Sequence, residues 1–238
     1  MVQPPQFNEY ADNYEETLAQ GLAMSGEDSS YFAKGRILWL RDCLQQLAEQ
    51  PRTILDYGCG TGSTAPLFRE LLGAESSVGL DSSPKLIERA HQAYGSEWSR
   101  FLPIKDYHPV AKVDLAYCNG VFHHIPVSER AQVVAYIAQA LRPGGLFALW
   151  ENNPWNPGTR YVMSRIPFDR DAITLTPPET RRLLSAGGFE ILRTDFLFIF
   201  PKAISWARWM EPFLLRLPIG AQYQVLARKT VPGHGEPG

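Results

Sequence analysis

Between residues 53 and 150, short apolar runs alternate with amphipathic helical stretches, and this alternation limits the possible folds more than any other feature of the chain. Runs that are apolar throughout suit strands buried on both faces, so helices must cover both sides of the sheet they build. The first strand is expected at 53–56, after a helix whose Ile37, Leu40, Leu44 and Leu47 fall three or four apart on one face. A helix at 65–72, a strand at 77–81 and a helix at 84–94 follow, the last capped by Ser83 with Pro84 at its first position. Strands at 100–104 and 113–118, a helix at 129–141, a stop at Arg142-Pro143-Gly144-Gly145 and a strand at 146–150 complete five β/α repeats. The pattern predicts an α/β fold with a mostly parallel sheet.

Residues 152–159, rich in asparagine and proline, are expected to form a loop leaving the fifth strand. Thr176 and Glu179 then form a capping box around Pro177, and Gly187-Gly188 ends that helix. Two late β-like runs, 191–200 and 222–228, predict an antiparallel hairpin at the sheet edge, while the tail 231–238 is expected to be disordered. A length of 238 residues suits one domain with appendages. The formal charge of −2, without a basic block, gives no general attraction to nucleic acid and favours a small-molecule substrate. Three cysteines without metal-ligand spacing suit a reducing cytoplasm, and no metal is expected. Neither a signal peptide nor a transmembrane run is read, so stable membrane insertion is not expected.

Chemistry concentrates in Asp56-Tyr57-Gly58-Cys59-Gly60-Thr61-Gly62, between a strand and a helix, where glycines let the backbone turn tightly beside a ligand. A dinucleotide fingerprint would place its third glycine one position later, where this chain has Ser63. Asp56 suits a ligand bearing an ammonium group, which a dinucleotide lacks there. Asp81, at the end of the second strand, stands where a carboxylate accepts from ribose hydroxyls.

These blocks, with Val78-Gly79-Leu80-Asp81-Ser82-Ser83, Asp114 to Pro126 and Leu141-Arg142-Pro143-Gly144-Gly145 in the same order, resemble the class I S-adenosylmethionine-dependent methyltransferases over roughly residues 50–150. The resemblance implies a Rossmann-like fold, a mostly parallel seven-stranded sheet with an antiparallel C-terminal hairpin and helices on both faces. The methyltransferase domain is then expected at 31–230, after an N-terminal lid at 1–30 that carries Tyr14 towards the cofactor. The implied cofactor is S-adenosyl-L-methionine, with Gly58, Gly60 and Gly62 along its methionine part, Asp81 on the ribose, Ser82 near the adenine, Asp106 at the adenine amino group and Asn119 alongside. A direct displacement at a sulfonium asks the protein chiefly to align the reactants and exclude water.

His123 and His124 follow the fourth strand, and Glu151 ends the fifth. Either histidine suits a base that takes a hydroxyl proton, oriented by Glu151, and either equally suits a structural or cofactor-side role. Asn152, Asn153, Arg160 and Tyr161 stand where an acceptor pocket is expected. Asn119 is followed by Gly120-Val121-Phe122 and not by the two prolines and aromatic of base-amino methyltransferases, which disfavours DNA as acceptor. O-methylation of a metabolite, sugar or lipid-linked intermediate is the first reading, with N- or C-methylation or a non-catalytic cofactor-binding module as alternatives. The stretch 206–217 mixes tryptophans, aliphatics and arginines, which suits core packing, a lid, weak interfacial contact with a membrane, or the face of a homodimer. A monomer or homodimer is expected.

Overall fold

The computed structural model describes residues 17, 20–22, 25–169 and 172–231. Most of the expected lid, Tyr14 included, and all but Val231 of the expected tail lie outside the described residues.

Among the described residues seven strands form one sheet: β1 (Thr53–Tyr57), β2 (Ser76–Asp81), β3 (Ser99–Pro103), β4 (Val113–Asn119), β5 (Leu141–Asn152), β6 (Phe189–Leu197) and β7 (Gln222–Lys229). Their order is β3-β2-β1-β4-β5-β7-β6, parallel from β3 to β5, with β7 antiparallel to both β5 and β6. The two late strands therefore pair as expected, but the chain's last strand slots inside and leaves β6 at the edge. Chain order reverses between β1 and β4, and the crevice at the carboxyl ends of such strands is where α/β sheets bind ligands.

Helices α1 (Ser29–Gln46), α2 (Ala65–Leu72), α3 (Pro84–Tyr94), α4 (Val127–Ala140), α5 (Pro157–Arg165), α6 (Pro177–Ala186) and the single turn α7 (Glu211–Leu214) surround the sheet. Period-two alternation divides the core. Ile54, Leu115, Trp150 and Leu226 pack with Ile37, Leu40 and Leu44 of α1 and Phe68 of α2, while Leu55, Ala116, Leu149 and Val225 pack with Val134 and Ile137 of α4 and Leu184 of α6. Both faces are thus apolar, which is why the strands read as continuous apolar runs.

Local signals set several helix starts. Ser83 accepts from the Leu86 amide at α3, and Thr176 and Glu179 complete the capping box at α6. The expected stop at 142–145 is not a separate loop. Helix α4 ends at Ala140, and the chain passes straight into β5, where Leu141 pairs with Val113 across an irregularity that ends at Leu115. Arg142 is held there by Asp114 at 2.7 Å, so a side-chain anchor fixes the bulge of Arg142 to Gly145 between the paired Leu141 and Leu146. Strand β6 ends earlier than expected, because Phe198 adopts a φ of 60° and turns its ring against Phe32. The expected loop at 152–159 contains the start of α5, capped by Asn156 on the Thr159 amide.

Candidate active site at the strand ends

The turn from β1 to α2 is tied to β2 through the backbone: Gly58 and Cys59 donate to Leu80 O at 2.7 and 2.9 Å. Gly60 donates to Asp81 Oδ2 at 3.0 Å, and Ser83 donates to Oδ1 at 2.9 Å. Asp81 thereby fixes the glycine loop while each oxygen keeps capacity for a further donor. The three glycines have φ of 78°, 55° and 79°, but their surroundings differ. A Cβ on Gly58 would strike Val121, and one on Gly62 would lie 2.7 Å from Phe101 and 2.9 Å from Ala90. Gly60 alone of the three opens onto space, with nothing within 4 Å of the position a Cβ would take. Gly58 and Gly62 permit close packing under the loop, and Gly60 provides the cradle.

Asp56 is buried beside this cradle, and no described side chain hydrogen-bonds or ion-pairs with it. Burial first, and then the neighbouring Asp81 carboxylate, push its pKa up to about 7 against the opposing influence of Arg36. Asp81 is raised by burial and partly relieved by its amide donors. Arg36, buried on α1, binds Tyr117 Oη at 3.1 Å and Gln222 Oε1 at 3.0 Å. Two buried carboxylates with one indirectly placed cation make an incomplete charge set, which a cationic ligand group would complete.

The other candidates are spread along the crevice rim. Ser82 is exposed next to Asp81, Asp106 is exposed on a turn after β3, and Asn119 is half-buried at the end of β4. None of the three has a side-chain contact that fixes a ligand role.

Beyond Asn119, His123 and His124 sit on a single turn of 3-10 helix at 122–124. His123 is 3% exposed, with Nδ1 at 2.6 Å from Glu151 Oε2 and Nε2 at 3.5 Å from Asp169 Oδ1. Glu151 Oε1 also accepts from the Phe122 amide at 2.8 Å. Burial opposes charge on His123, but the two carboxylates outweigh it and push its pKa up to about 10. His124 stands with Nε2 at 3.2 Å from the same Asp169 oxygen; burial lowers its pKa, and the charged His123 beside it outlasts part of the help from Asp169. At neutral pH the pair therefore divides into an imidazolium and a neutral imidazole. Glu151 orients His123, whereas Asp169, from the 3-10 turn at 167–169, serves both rings.

Asp169 and Arg36 were missed in the sequence, since neither lies in a recognisable block. The backbone shows why Asp169 reaches the site. Ile173 N donates to His123 O at 2.9 Å, and Arg130 binds both Ile125 O and Ile173 O, clamping the segment after α5 onto the end of β4. One ring nitrogen of each histidine and an Asp169 carboxylate oxygen lie within 4.8 Å of one another, a donor set compatible with a divalent cation, although the Nε2–Asp169 spacings are also those of hydrogen bonds. Asn153 binds Pro218 O and Gly220 O and is a loop anchor, while Arg160 and Tyr161 lie exposed on α5.

A glycine turn and two buried carboxylates, all at the reversal point of a parallel sheet, suit a ligand that carries both a cation and hydroxyl groups. The sequence profile of the methyltransferase domain family matches residues 54–145, which makes that stretch a methyltransferase domain. It is similar to trans-aconitate 2-methyltransferase of Azoarcus sp. strain BH72, with 30% identity over 59% of this chain and 56% of the relative. The enzyme of that name from Escherichia coli O1:K1 is 26% identical over 74% of each chain. The first match thus spans little more than half of the relative's length. Magnesium protoporphyrin IX methyltransferase from Synechocystis PCC 6803 with bound SAH shares the fold, with a TM-score of 0.63, 17% identity, and coverage of 94% of this chain and 96% of that one.

Proposed function

We propose that this chain methylates an oxygen of a small-molecule acceptor, with a hydroxyl as the nucleophile and His124 as its base. The observation that carries the reading is the Asp169–His124 pair. Asp169 Oδ1 lies 3.2 Å from Nε2 and holds the ring at the strand ends, where burial lowers its pKa and favours the neutral imidazole that a base requires. His123, already charged at neutral pH, is unsuited to remove a proton and acts as the post that holds Asp169 and Glu151 in place.

Asp56 fits the ammonium of S-adenosylmethionine, Asp81 its ribose, and Gly60 leaves the room that the methionine part requires. When bound, the cofactor supplies an electrophilic methyl on a sulfonium. The chain's own work is then to align the acceptor oxygen, keep water out, and take the hydroxyl proton at His124 as the oxygen becomes alkylated. A carboxylate acceptor is the second reading, favoured by the names of the relatives, and would need no base.

Turnover of methyl-labelled S-adenosylmethionine with panels of soluble hydroxylated and carboxylated acceptors separates the two. For a hydroxyl, kcat should fall on acidification through a pKa below the ordinary histidine value, because protonation removes the base and burial has lowered that pKa. Methyl ether product with this acid limb is expected. Methyl ester product with a rate independent of His124 would replace the hydroxyl reading with the carboxylate one.

A further inference from the structure

The stretch 201–220 is not core packing. Lys202–Met210 forms a 3-10 helix with a kink at Ile204 and runs into α7. Trp206 is 75% exposed, Trp209 70% and Phe213 79%, three or four residues apart along the helical turns, and Leu217, 48% exposed, follows in the turn after α7. Large rings at such spacing, turned to water, need a partner surface.

We propose that this stripe docks on the surface of an anionic lipid bilayer. Tryptophan places an apolar ring and a polar N–H together, the arrangement that suits the boundary between headgroups and acyl chains. The charges agree. Within 201–220 stand Lys202, Arg208 and Arg216 against a single acid, Glu211, although the whole chain is net negative. Glu211 is turned to the Phe200 amide at 3.0 Å and Lys202 is exposed, while Arg216, also exposed, shares the buried Asp195 with Arg193, so the two arginines outnumber their acid there. Arg208 anchors the stretch to the body: it binds Phe200 O at 3.1 Å and Glu27 at 2.9 Å, and stacks over Tyr31 at 4.7 Å. The rings therefore project from a fixed base. No described helix is long and apolar enough to cross a membrane, so the contact is interfacial.

The position of the stripe relates it to the active site. Strand β6 delivers the chain to Phe198 at the same sheet end where Gln222 pairs with both Leu197 and Asn152, next to Glu151. Trp155 and Ile173, 49% and 55% exposed, continue the apolar rim on loops of that end, and Ile173 bonds directly to His123. A chain lying on its tryptophans holds this rim near the headgroups, which fits an acceptor hydroxyl carried by a lipid-anchored molecule. That assignment rests on the proposed function; the docking does not.

Flotation tests the docking with the full chain and vesicles of phosphatidylcholine, with and without about one third phosphatidylglycerol. Co-flotation with the anionic vesicles, weakened by molar salt, is expected. Combined Trp206→Ser, Trp209→Ser and Phe213→Ser should reduce it at least about tenfold while S-adenosylhomocysteine affinity is unchanged, since each side chain contributes apolar area only at the bilayer. Absence of flotation, or equal flotation of the triple variant, overturns the proposal. So does a dimer in sedimentation that the same substitutions dissolve, which would give the stripe to a second copy. Loss of the vesicle contact with retained turnover on a soluble acceptor would reject the docking alone, and the reverse would reject only the acceptor chemistry.

Discussion

Asp56→Asn is expected to stabilise the ligand-free chain at pH 8 and to abolish useful cofactor affinity. A carboxyl whose folded pKa stands near 7, above its unfolded value of 3.8, contributes stability that is fully present below the unfolded value and is lost as pH rises through 7. An uncharged amide of the same shape avoids that loss, so the gain at pH 8 should be about 2–4 kcal/mol and should vanish near pH 4. Loss of the buried partner of the ligand's ammonium should weaken S-adenosylmethionine binding about 10²- to 10³-fold. Denaturant melts at the two pH values, with calorimetry on the same variant, check both halves. A variant that is less stable at both and binds normally would show that Asp56 serves the fold and not the ligand.

The histidine pair gives the second large effect, and it differs between the two rings. His124→Ala should lower turnover about 10²- to 10⁴-fold with cofactor affinity nearly unchanged, as expected when a base is removed from the transition state alone. His123→Ala should instead act on stability. Its folded pKa, raised to about 10, contributes stability that is complete below the ordinary value of 6.5, declines as pH rises above it and is gone once pH passes 10. Removing it leaves Glu151 and Asp169 buried without their shared cation, at a cost of about 3–5 kcal/mol. Thermal melts and single-turnover rates on both variants decide the matter. Equal losses of rate per folded, cofactor-bound molecule would erase the division of labour.

How much of this could be read beforehand depends on how local each signal is. Helices α2 and α3 fall where expected, because Ser83, Pro84 and the glycine turn act within a few residues of the boundaries they set. The α4–β5 junction does not, because Arg142 is anchored by Asp114 of a neighbouring strand, a contact invisible to any window along the chain. The same distinction governs the site. Asp56, Gly58, Gly60 and Asp81 belong to adjacent parallel strands and their turns, so motif spacing brought them together. Even there, the contact environment was hidden: Gly62 faces Phe101 and Ala90, and only Gly60 opens onto space. Asp169 and Arg36 reach the strand ends from α-helical or loop segments far off in sequence, and Asp169 is brought to both histidines where Ile173 bonds to His123 and Arg130. The tryptophans of 206–209 suited core packing, a lid, a membrane contact or a dimer face by composition, and their exposure sets core packing aside.

A cationic nucleoside cofactor is expected to complete the charge set at Asp56. The most direct measurement is calorimetric titration of the wild-type chain with S-adenosylmethionine in buffers of different ionisation enthalpy. Near pH 7, Asp56 is about half protonated and must ionise to meet the ammonium, so binding should release about half a proton per cofactor, rising towards one near pH 6 and fading near pH 8. No heat with S-adenosylmethionine, or binding whose proton release is unchanged by Asp56→Asn, would contradict the account.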